Sequence, residues 1–192
     1  MESGTLQLEE KTFDLRKVLG ESTGIVEMQG HEKGISLNVG TVNIIHNQLV
    51  GSPLHLQQIL QNIGSNAVNY NRVGGKIVVS CQEISSDDRT AVFEFTCTDN
   101  GIGMSEEFQK HLFEPFTQEN RLEQKANMGT GLGMTIVSQL VKLMGGQICF
   151  TSKVDEGTSF VITLPFQISS DRESKMPESS VENVSLKGKR AL

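Results

Sequence analysis

The sequence predicts one α+β domain followed by a polar tail. Apolar residues recur at helical spacing in some segments and at every second position in others, so helices and half-buried strands are both expected. The chain has 192 residues, which is enough for one well-packed domain. Its 36% hydrophobic and 21% charged residues are typical of a globular protein.

Three segments have the pattern of helices. Residues 12–20 predict a brief strand that runs into a helix, with Asp14 as the N-cap. A second helix begins at Ser52-Pro53 and carries an apolar stripe that starts at Leu54 and ends at Val68. A third begins in a glycine-rich loop, covers 134–144 and stops at a glycine pair.

Strands are predicted between and after these helices. Residues 76–84 and 91–97 are expected to form an antiparallel pair joined by a polar loop. The other predicted strands are 35–39, 147–151 and 159–164. Residues 99–128 have few strand signals, which favours a functional lid.

Charge and cysteine content exclude some classes of protein. The net charge is −6, with 17 Lys and Arg against 23 Asp and Glu, which argues against a nucleic-acid partner because that needs a basic face. Phosphate ligands remain open, since backbone N–H groups and a metal suffice to bind them. Cys81, Cys97 and Cys149 lie in apolar, strand-like stretches and are predicted to be buried thiols.

The first candidate cluster lies in residues 58–70 (QILQNIGSNAVNY), on the second helix. Asn62 and Asn66 are four residues apart, so they share one helix face. Asparagine is a poor helix former, and its amide oxygen is a hard ligand suited to Mg²⁺. The pair indicates either a metal and phosphate site in a cleft or a solvated polar face.

The second cluster is the motif DNGIG, residues 99–103, directly after a predicted strand. The carboxylate of Asp99 can accept a hydrogen bond from an exocyclic amine such as that of adenine. Gly101 and Gly103 would let the backbone pass close to a flat base. A glycine-rich turn without a ligand is the alternative.

The third cluster is FEPF, residues 113–116, in which two aromatic residues flank Glu-Pro at the edge of a polar stretch. Two such residues could anchor a moving segment. They could equally form a small apolar cluster beneath a loop. The pattern alone does not separate these two interpretations.

The fourth cluster is GTGLGM, residues 129–134, which opens the third helix. Such a loop offers backbone N–H groups and the positive end of a helix dipole to phosphates. The dinucleotide motif GxGxxG is excluded, because Met134 stands where its third glycine is required. No GxxxxGK[ST] is present, so the chain is not a P-loop protein.

In this order the four clusters resemble the N box, first glycine box, F box and second glycine box of histidine-kinase catalytic domains. That superfamily also includes DNA gyrase, heat-shock chaperone ATPases and MutL-type repair proteins. The resemblance covers about residues 13–166. It implies a two-layer α/β sandwich, the Bergerat ATP-binding fold, with a mixed five-stranded sheet backed by three helices, and it implies ATP and Mg²⁺ as cofactors.

The resemblance also implies a role for individual residues. Asn66 would hold Mg²⁺ and be the catalytic residue, and Asp99 would read the adenine amine. Tyr70, the sole tyrosine, would lie against adenine. Residues 117–128 would form the ATP lid. The other residues implied in nucleotide binding are Asn62, Asn69, Gly101, Ile102, Gly103, Gly129, Thr130, Gly131, Leu132 and Gly133.

One position departs from the family pattern. The third residue after the magnesium-binding asparagine is commonly Lys or Arg, which reaches phosphate, but here it is Asn69. An amide brings no charge to the phosphates. Lys125 or Arg121, both within the expected lid, could supply the missing charge, and Lys125 is predicted to bind nucleotide.

The phospho-acceptor histidine is expected to be absent from this chain. His31-Glu32 begins like the acceptor pattern H-E-x-x-[TN]-P but lacks the proline and the helical context. Residues 1–11 are expected to end a dimerisation hairpin and 12–167 to form the catalytic domain. Residues 168–185 would be a linker, and 186–192 the start of a truncated following domain of the receiver type.

The implied activity is transfer of the ATP γ-phosphate to a histidine on that missing hairpin, in a two-component sensor kinase. Its further partner would be a receiver domain or response regulator. The domain would be cytoplasmic, whether or not the sensor is membrane-anchored. Three alternatives remain: a catalytically weak nucleotide-binding regulatory module, another ATPase of the same superfamily, and a structural interaction domain.

Overall fold

A computed structural model describes residues 8–118 and 130–170. The strands in these ranges are β1 (Lys11–Asp14), β2 (Ser36–Val42), β3 (Gln48–Gly51), β4 (Lys76–Ser86), β5 (Thr90–Asp99), β6 (Gln147–Lys153) and β7 (Gly157–Ile168). The helices are α1 (Leu15–His31), α2 (Pro53–Asn69), α3 (Glu106–Gln109) and α4 (Gly133–Leu143).

All described strands belong to one mixed sheet, with the order β1-β3-β7-β5-β4-β2 and with β6 paired to β7. The β2 and β4 pairing is parallel, and the other pairings are antiparallel. The long strand β7 places Thr158 opposite Asp99 on β5 and opposite Ser152 on β6. Ser152 and Thr158 are six residues apart in the hairpin of β6 and β7, and the pairing of β7 with β5 brings the distant Asp99 beside them.

The predicted fold class is confirmed, and the described sheet has seven strands rather than five. β1 is the brief strand predicted before the first helix, and β3 was not predicted; each has four residues, and the two pair with one another. Such short segments give little periodicity, and their pairing comes from tertiary context. No described helix combines the length and the apolar character that crossing a membrane requires.

Helix α1 starts where the sequence predicts and runs further than expected. The carboxylate of Asp14 accepts a hydrogen bond of 2.9 Å from the N–H of Lys17, which is an N-cap contact. The helix continues past Gly20 because its buried face packs on α2. Where α2 packs on α1, a Cβ on Gly64 would lie 2.3 Å from Cγ2 of Val26.

Helix α2 carries the buried stripe that its sequence predicts, and one expected member lies outside it. Ile59, Ile63 and Ala67 are buried, whereas Leu54 is 58% exposed. Pro53 begins the helix, and the hydroxyl of Ser52 bonds with Nδ1 of His55 at 2.7 Å rather than with a helix N–H. The apolar stripe fixes the rotation of α2, and with it the direction of the neighbouring polar face.

The cysteine predictions are confirmed at two positions and wrong at the third. Cys81 and Cys97 are buried beneath the helices, and burial raises the pKa of each thiol to about 12. Cys149 is exposed. It lies on β6 between the half-buried Ile148 and Phe150, so the alternation of the strand directs it to the face away from the core.

A buried carboxylate fastens the loop before β3. Glu83 is 7% exposed, and its Oε2 accepts backbone N–H groups of Ile45 (2.7 Å) and His46 (2.9 Å). Its Oε1 lies 2.7 Å from Nδ1 of His46. Burial raises the pKa of Glu83, but these hydrogen bonds outweigh it and hold the pKa below its ordinary value. Glu83 therefore ties the loop to the sheet in its ionised form.

Candidate functional site

A cavity of about 270 Å³ lies between α2, the start of α4, and the adjoining ends of β5 and β7. The predicted nucleotide-binding residues that line it are Asn62, Asn66, Asn69, Tyr70, Asp99, Ile102, Gly103, Thr130, Gly131 and Gly133. Gly101 and Leu132 adjoin these residues without lining the cavity. Lys125 and Gly129 lie outside the described residues. Asp99 and Asn66, one from a strand end and one from a helix, face a common space.

Asp99 stands at the end of β5 as a partly buried acceptor. Its Oδ1 accepts a hydrogen bond of 2.8 Å from the N–H of Gly101, and its carboxylate also receives the N–H of Thr158. Burial raises the pKa of Asp99 above its ordinary value, and the two N–H groups offset part of that increase. A carboxylate held in this way can accept a further hydrogen bond from a ligand amine.

The glycines of DNGIG make room for neighbouring protein backbone. A Cβ on Gly101 would lie 2.3 Å from the carbonyl oxygen of Tyr70, the same oxygen that accepts the N–H of Ile102 at 3.0 Å. Gly103 has a φ of +61°, and its Cβ would lie 1.9 Å from the carbonyl oxygen of Lys153. The two glycines thus allow the loop after β5 to pack tightly beside the cavity.

The two asparagines of α2 both face the cavity but differ in their contacts. Nδ2 of Asn62 donates to the carbonyl of Gln58 at 2.9 Å, and a Cβ on Gly133 would lie 3.2 Å from Oδ1 of Asn62. The amide of Asn66 makes no hydrogen bond with the described part of the chain. Its oxygen is therefore available to a ligand or metal.

The structure also brings the FEPF segment against the glycine-rich loop. The ring of Phe113 packs edge-on against Phe150, with 5.8 Å between centroids. Phe116 is 75% exposed, and its N–H donates to the carbonyl of Gly131 at 3.1 Å. Gly131 has a φ of +70°, and a Cβ there would lie 2.9 Å from the carbonyl carbon of Phe116. Phe113 thus acts as an anchor, whereas Phe116 projects outward.

Several residues that line the cavity were missed at the level of sequence. Its apolar wall includes Met104, Phe108 and Leu112, and Thr158 lies beside Asp99. The first three are spaced by four residues, a helical signal that could have found them. Nothing near Thr158 in the sequence marks it, since the β5 and β7 pairing alone brings it to the cavity.

The described part of this site lacks positively charged side chains in its lining. None of the described residues that line the cavity is Lys or Arg. Lys33 lies near the end of α2, but its Nζ donates to the carbonyls of Val68 (3.1 Å) and Asn69 (3.3 Å). It therefore caps the helix C-terminus and does not replace the missing charge at Asn69.

Comparison with known proteins places this chain in a family. The family described as "Histidine kinase-, DNA gyrase B-, and HSP90-like ATPase" matches residues 51–168. The signal transduction histidine-protein kinase BarA of Escherichia coli (strain K12) is 33% identical over 160 residues, covering 83% of this chain and 17% of BarA. Hybrid signal transduction histidine kinase F of Dictyostelium discoideum is 35% identical over 190 residues, covering 94% of this chain and 16% of that kinase.

A solved structure agrees with these sequence matches. Full-length ShkA, crystallised in complex with AMPPNP, superposes with a TM-score of 0.69 and 26% identity, covering 85% of this chain and 32% of ShkA. The chain spans about a fifth or less of the length of BarA and kinase F. By its fold, its sequence and the cavity at its second helix, the chain belongs to the histidine kinase-, DNA gyrase B-, and HSP90-like ATPase family and carries the ATP-binding domain that sensor histidine kinases have.

Proposed function

We propose that this chain binds ATP with Mg²⁺ and donates the γ-phosphate to a histidine on a separate dimerisation hairpin. The observation that supports this most directly is that Asp99 and Asn66 line one cavity. A partly buried carboxylate suits the amine of a base, and an unpartnered amide oxygen suits a hard metal. One ligand that carries both a base and a polyphosphate would satisfy the two residues together.

At the base end, Asp99 accepts the exocyclic amine of adenine. Its two backbone donors, Gly101 and Thr158, fix the orientation of the carboxylate before the ligand arrives. Tyr70 is 41% exposed at the cavity rim and lies against the flat face of the base. Ile102 and Gly103 complete the lining beside it.

At the phosphate end, the start of α4 supplies backbone donors. Gly131 and Gly133 line the cavity where this helix of 11 residues begins, and the free N–H groups of a first helical turn attract anions. Thr130 and Leu132 belong to the same loop, and Gly129 precedes it. The loop therefore binds the triphosphate, with Asn62 close to Gly133.

Asn66 holds the metal ion at this end. In residues 8–118 and 130–170, no three His, Cys, Asp or Glu side chains come together to bind a metal by themselves. A metal here is held by an amide oxygen, phosphate oxygens and water, which is the mixture that Mg²⁺ accepts. When bound, Mg²⁺ neutralises charge on the β- and γ-phosphates. We further propose that Lys125 supplies the positive charge that Asn69 cannot.

The contribution of this domain to phosphoryl transfer is positioning and charge stabilisation. The acceptor histidine and its base belong to the hairpin, so no general base is assigned here. A receiver domain or response regulator would take the phosphoryl group next. Since the ligand is ATP, we place the domain in the cytoplasm. The boundaries at residues 11, 167 and 185 remain predictions, and residues 171–192 lie outside the described part of the chain.

Transfer of radioactive phosphate tests this proposal. The chain is incubated with [γ-³²P]ATP, Mg²⁺ and a hairpin domain that contains its acceptor histidine. Acid-labile label is expected on the hairpin. It should be absent when the acceptor histidine is replaced by alanine, and strongly reduced with Asn66→Ala. ATP binding without any transfer would instead support the regulatory module, and no ATP binding at all would refute both.

A further inference from the structure

We propose that Ser152 is a positioning residue that sets base specificity by directing the hydroxyl proton of Thr158. This inference rests on the proposed function, because it assumes that a nucleobase occupies the Asp99 end of the cavity. Ser152 lies on β6, beside Thr158 on β7 and outside the set of residues that line the cavity. It would act on a bound base only through its neighbours.

The hydroxyl of Ser152 makes three hydrogen bonds. It accepts the N–H of Met104 at 2.9 Å, donates to the carbonyl of Gly157 at 3.1 Å, and lies 2.9 Å from the hydroxyl of Thr158. A serine hydroxyl has one proton and two lone pairs. The carbonyl of Gly157 can only accept, so the Ser152 proton is donated to it. The N–H of Met104 donates to one of the two lone pairs of Ser152.

The remaining lone pair of Ser152 fixes the direction of the bond to Thr158. All three bonds can exist together only if Thr158 donates its proton to Ser152. Thr158 is 8% exposed and lines the cavity beside Asp99. Once its proton is used, the hydroxyl of Thr158 has only lone pairs to offer a ligand or a bound water.

Base specificity follows from this arrangement of acceptors. The carboxylate of Asp99 and the hydroxyl of Thr158 both present acceptors to the base end, which favours a purine with an amine at position 6. A 6-oxo purine would direct its own acceptor toward them. Without Ser152, the Thr158 hydroxyl is free to turn its proton to the oxo group, so discrimination between the two bases should fall.

The same hydroxyl and its backbone also hold the apolar wall of the cavity. Met104 is held through its N–H by Ser152. Nε2 of Gln109 donates to the carbonyl of Met104 at 3.0 Å and to the carbonyl of Ser152 at 3.2 Å. Loss of the hydrogen bond between Met104 and Ser152 would loosen the apolar wall and weaken the binding of every purine to the same extent. A change in the preference between two purines therefore separates the proton-directing effect from loss of the wall.

Calorimetric titration with ADP and IDP tests the inference, since IDP carries an oxo group at position 6 and a proton on N1 where ADP carries an amine and an unprotonated N1. Ser152→Ala is expected to lower the ratio of the IDP Kd to the ADP Kd by about three- to tenfold, the size of one neutral hydrogen bond. Ser152→Thr retains a hydroxyl and should keep the ratio within about twofold of the wild-type value. If Ser152→Ala does not fold, Ser152→Cys replaces it, because a thiol is a weak donor and acceptor.

Ser159→Ala is the matched control. Its hydroxyl lies 2.7 Å from that of Thr98 across the β5 and β7 pairing, on the sheet face away from the cavity, so the same chemical change is made without touching Thr158. The control should keep the wild-type ratio. An unchanged ratio in Ser152→Ala, or an equal change in both variants, would overturn the inference alone. Failure of the wild-type chain to bind ADP would overturn the proposed function as well.

Discussion

Replacing Asp99 with asparagine is expected to abolish most adenine nucleotide binding without destabilising the ligand-free protein. The carboxylate faces three donors once adenine is bound: the N–H of Gly101, the N–H of Thr158 and the base amine. An asparagine has one acceptor oxygen, so its own NH₂ group must face at least one of these donors. The ligand is the donor that can leave, and binding is therefore the property that is lost.

The size of the effect follows from the charge on the acceptor. A hydrogen bond to a charged group contributes about 1.5–3 kcal/mol, which corresponds to roughly a tenfold to 150-fold increase in the Kd for ADP. Stability responds differently. Burial raises the pKa of Asp99 above its ordinary value of 3.8, so the ionised side chain carries a folding penalty that the neutral amide of an asparagine would not have.

The pH dependence gives the sign of this penalty. Between 3.8 and the higher pKa of the folded state, the folded protein binds more protons than the unfolded chain. The penalty is therefore complete above the folded pKa and disappears as the pH falls to 3.8. The wild type should gain stability relative to Asp99→Asn as the solution is acidified through this window.

Two measurements check this reasoning. Isothermal titration with ADP at pH 7 reports the change in Kd, and urea unfolding of both proteins across the pH window reports their relative stability. A Kd within threefold of the wild-type value would show that no ligand amine contacts this carboxylate. A relative stability that moves in the opposite direction with pH would show that burial does not raise its pKa.

Four further substitutions probe the fold and the predicted lid. Gly64→Ala should cost about 1–3 kcal/mol in urea unfolding, because its Cβ would lie 2.3 Å from Val26. Gly24→Ala, in α1 with no heavy atom within 4 Å, should instead add about 0.5–1 kcal/mol, and equal effects would contradict the packing argument. Glu83→Gln should cost about 1–3 kcal/mol at pH 7, and since the pKa of Glu83 is lowered on folding, this difference should shrink as the pH falls through the folded pKa; a constant difference would refute it. Lys125→Ala should raise the Kd for ATP about three- to tenfold by titration, and an unchanged value would exclude Lys125 as the missing phosphate charge.

Periodicity predicted the parts of the fold in which local pattern and tertiary packing agree. Asp14 was identifiable as an N-cap, and the stripe on α2 was readable because the helix is buried along one side. The end of α1 was not predictable, because the glycines within it weaken the local signal while packing against α2 extends the helix. Cys149 was misplaced because its strand has one face against the core and one face outside it.

The same distinction between local pattern and tertiary packing applies to the residues of the candidate site. Asp99 and Asn66 stand in local motifs, and their sequence neighbours suggest the chemistry they support. Thr158 and Ser152 are neighbours across a short hairpin, but they reach Asp99 only through the pairing of β7 with β5, which joins segments far apart in the sequence. The packing role of Gly101 and Gly103 was also not predictable, since the carbonyl oxygens that lie against them belong to Tyr70 and Lys153, which are distant in the sequence.

The hydrogen bond between Phe116 and Gly131 joins two points that are far apart in sequence but touch in space. The ends of the intervening segment are thereby held side by side at the cavity, whatever number of residues separates them along the chain. In general, each doubling of the length of a flexible loop adds only about 0.6 kcal/mol of closure entropy when its ends are already fixed together. A change in the number of residues between positions 116 and 131 is therefore expected to leave the contact between these two residues, and the cavity wall that Gly131 forms, unchanged.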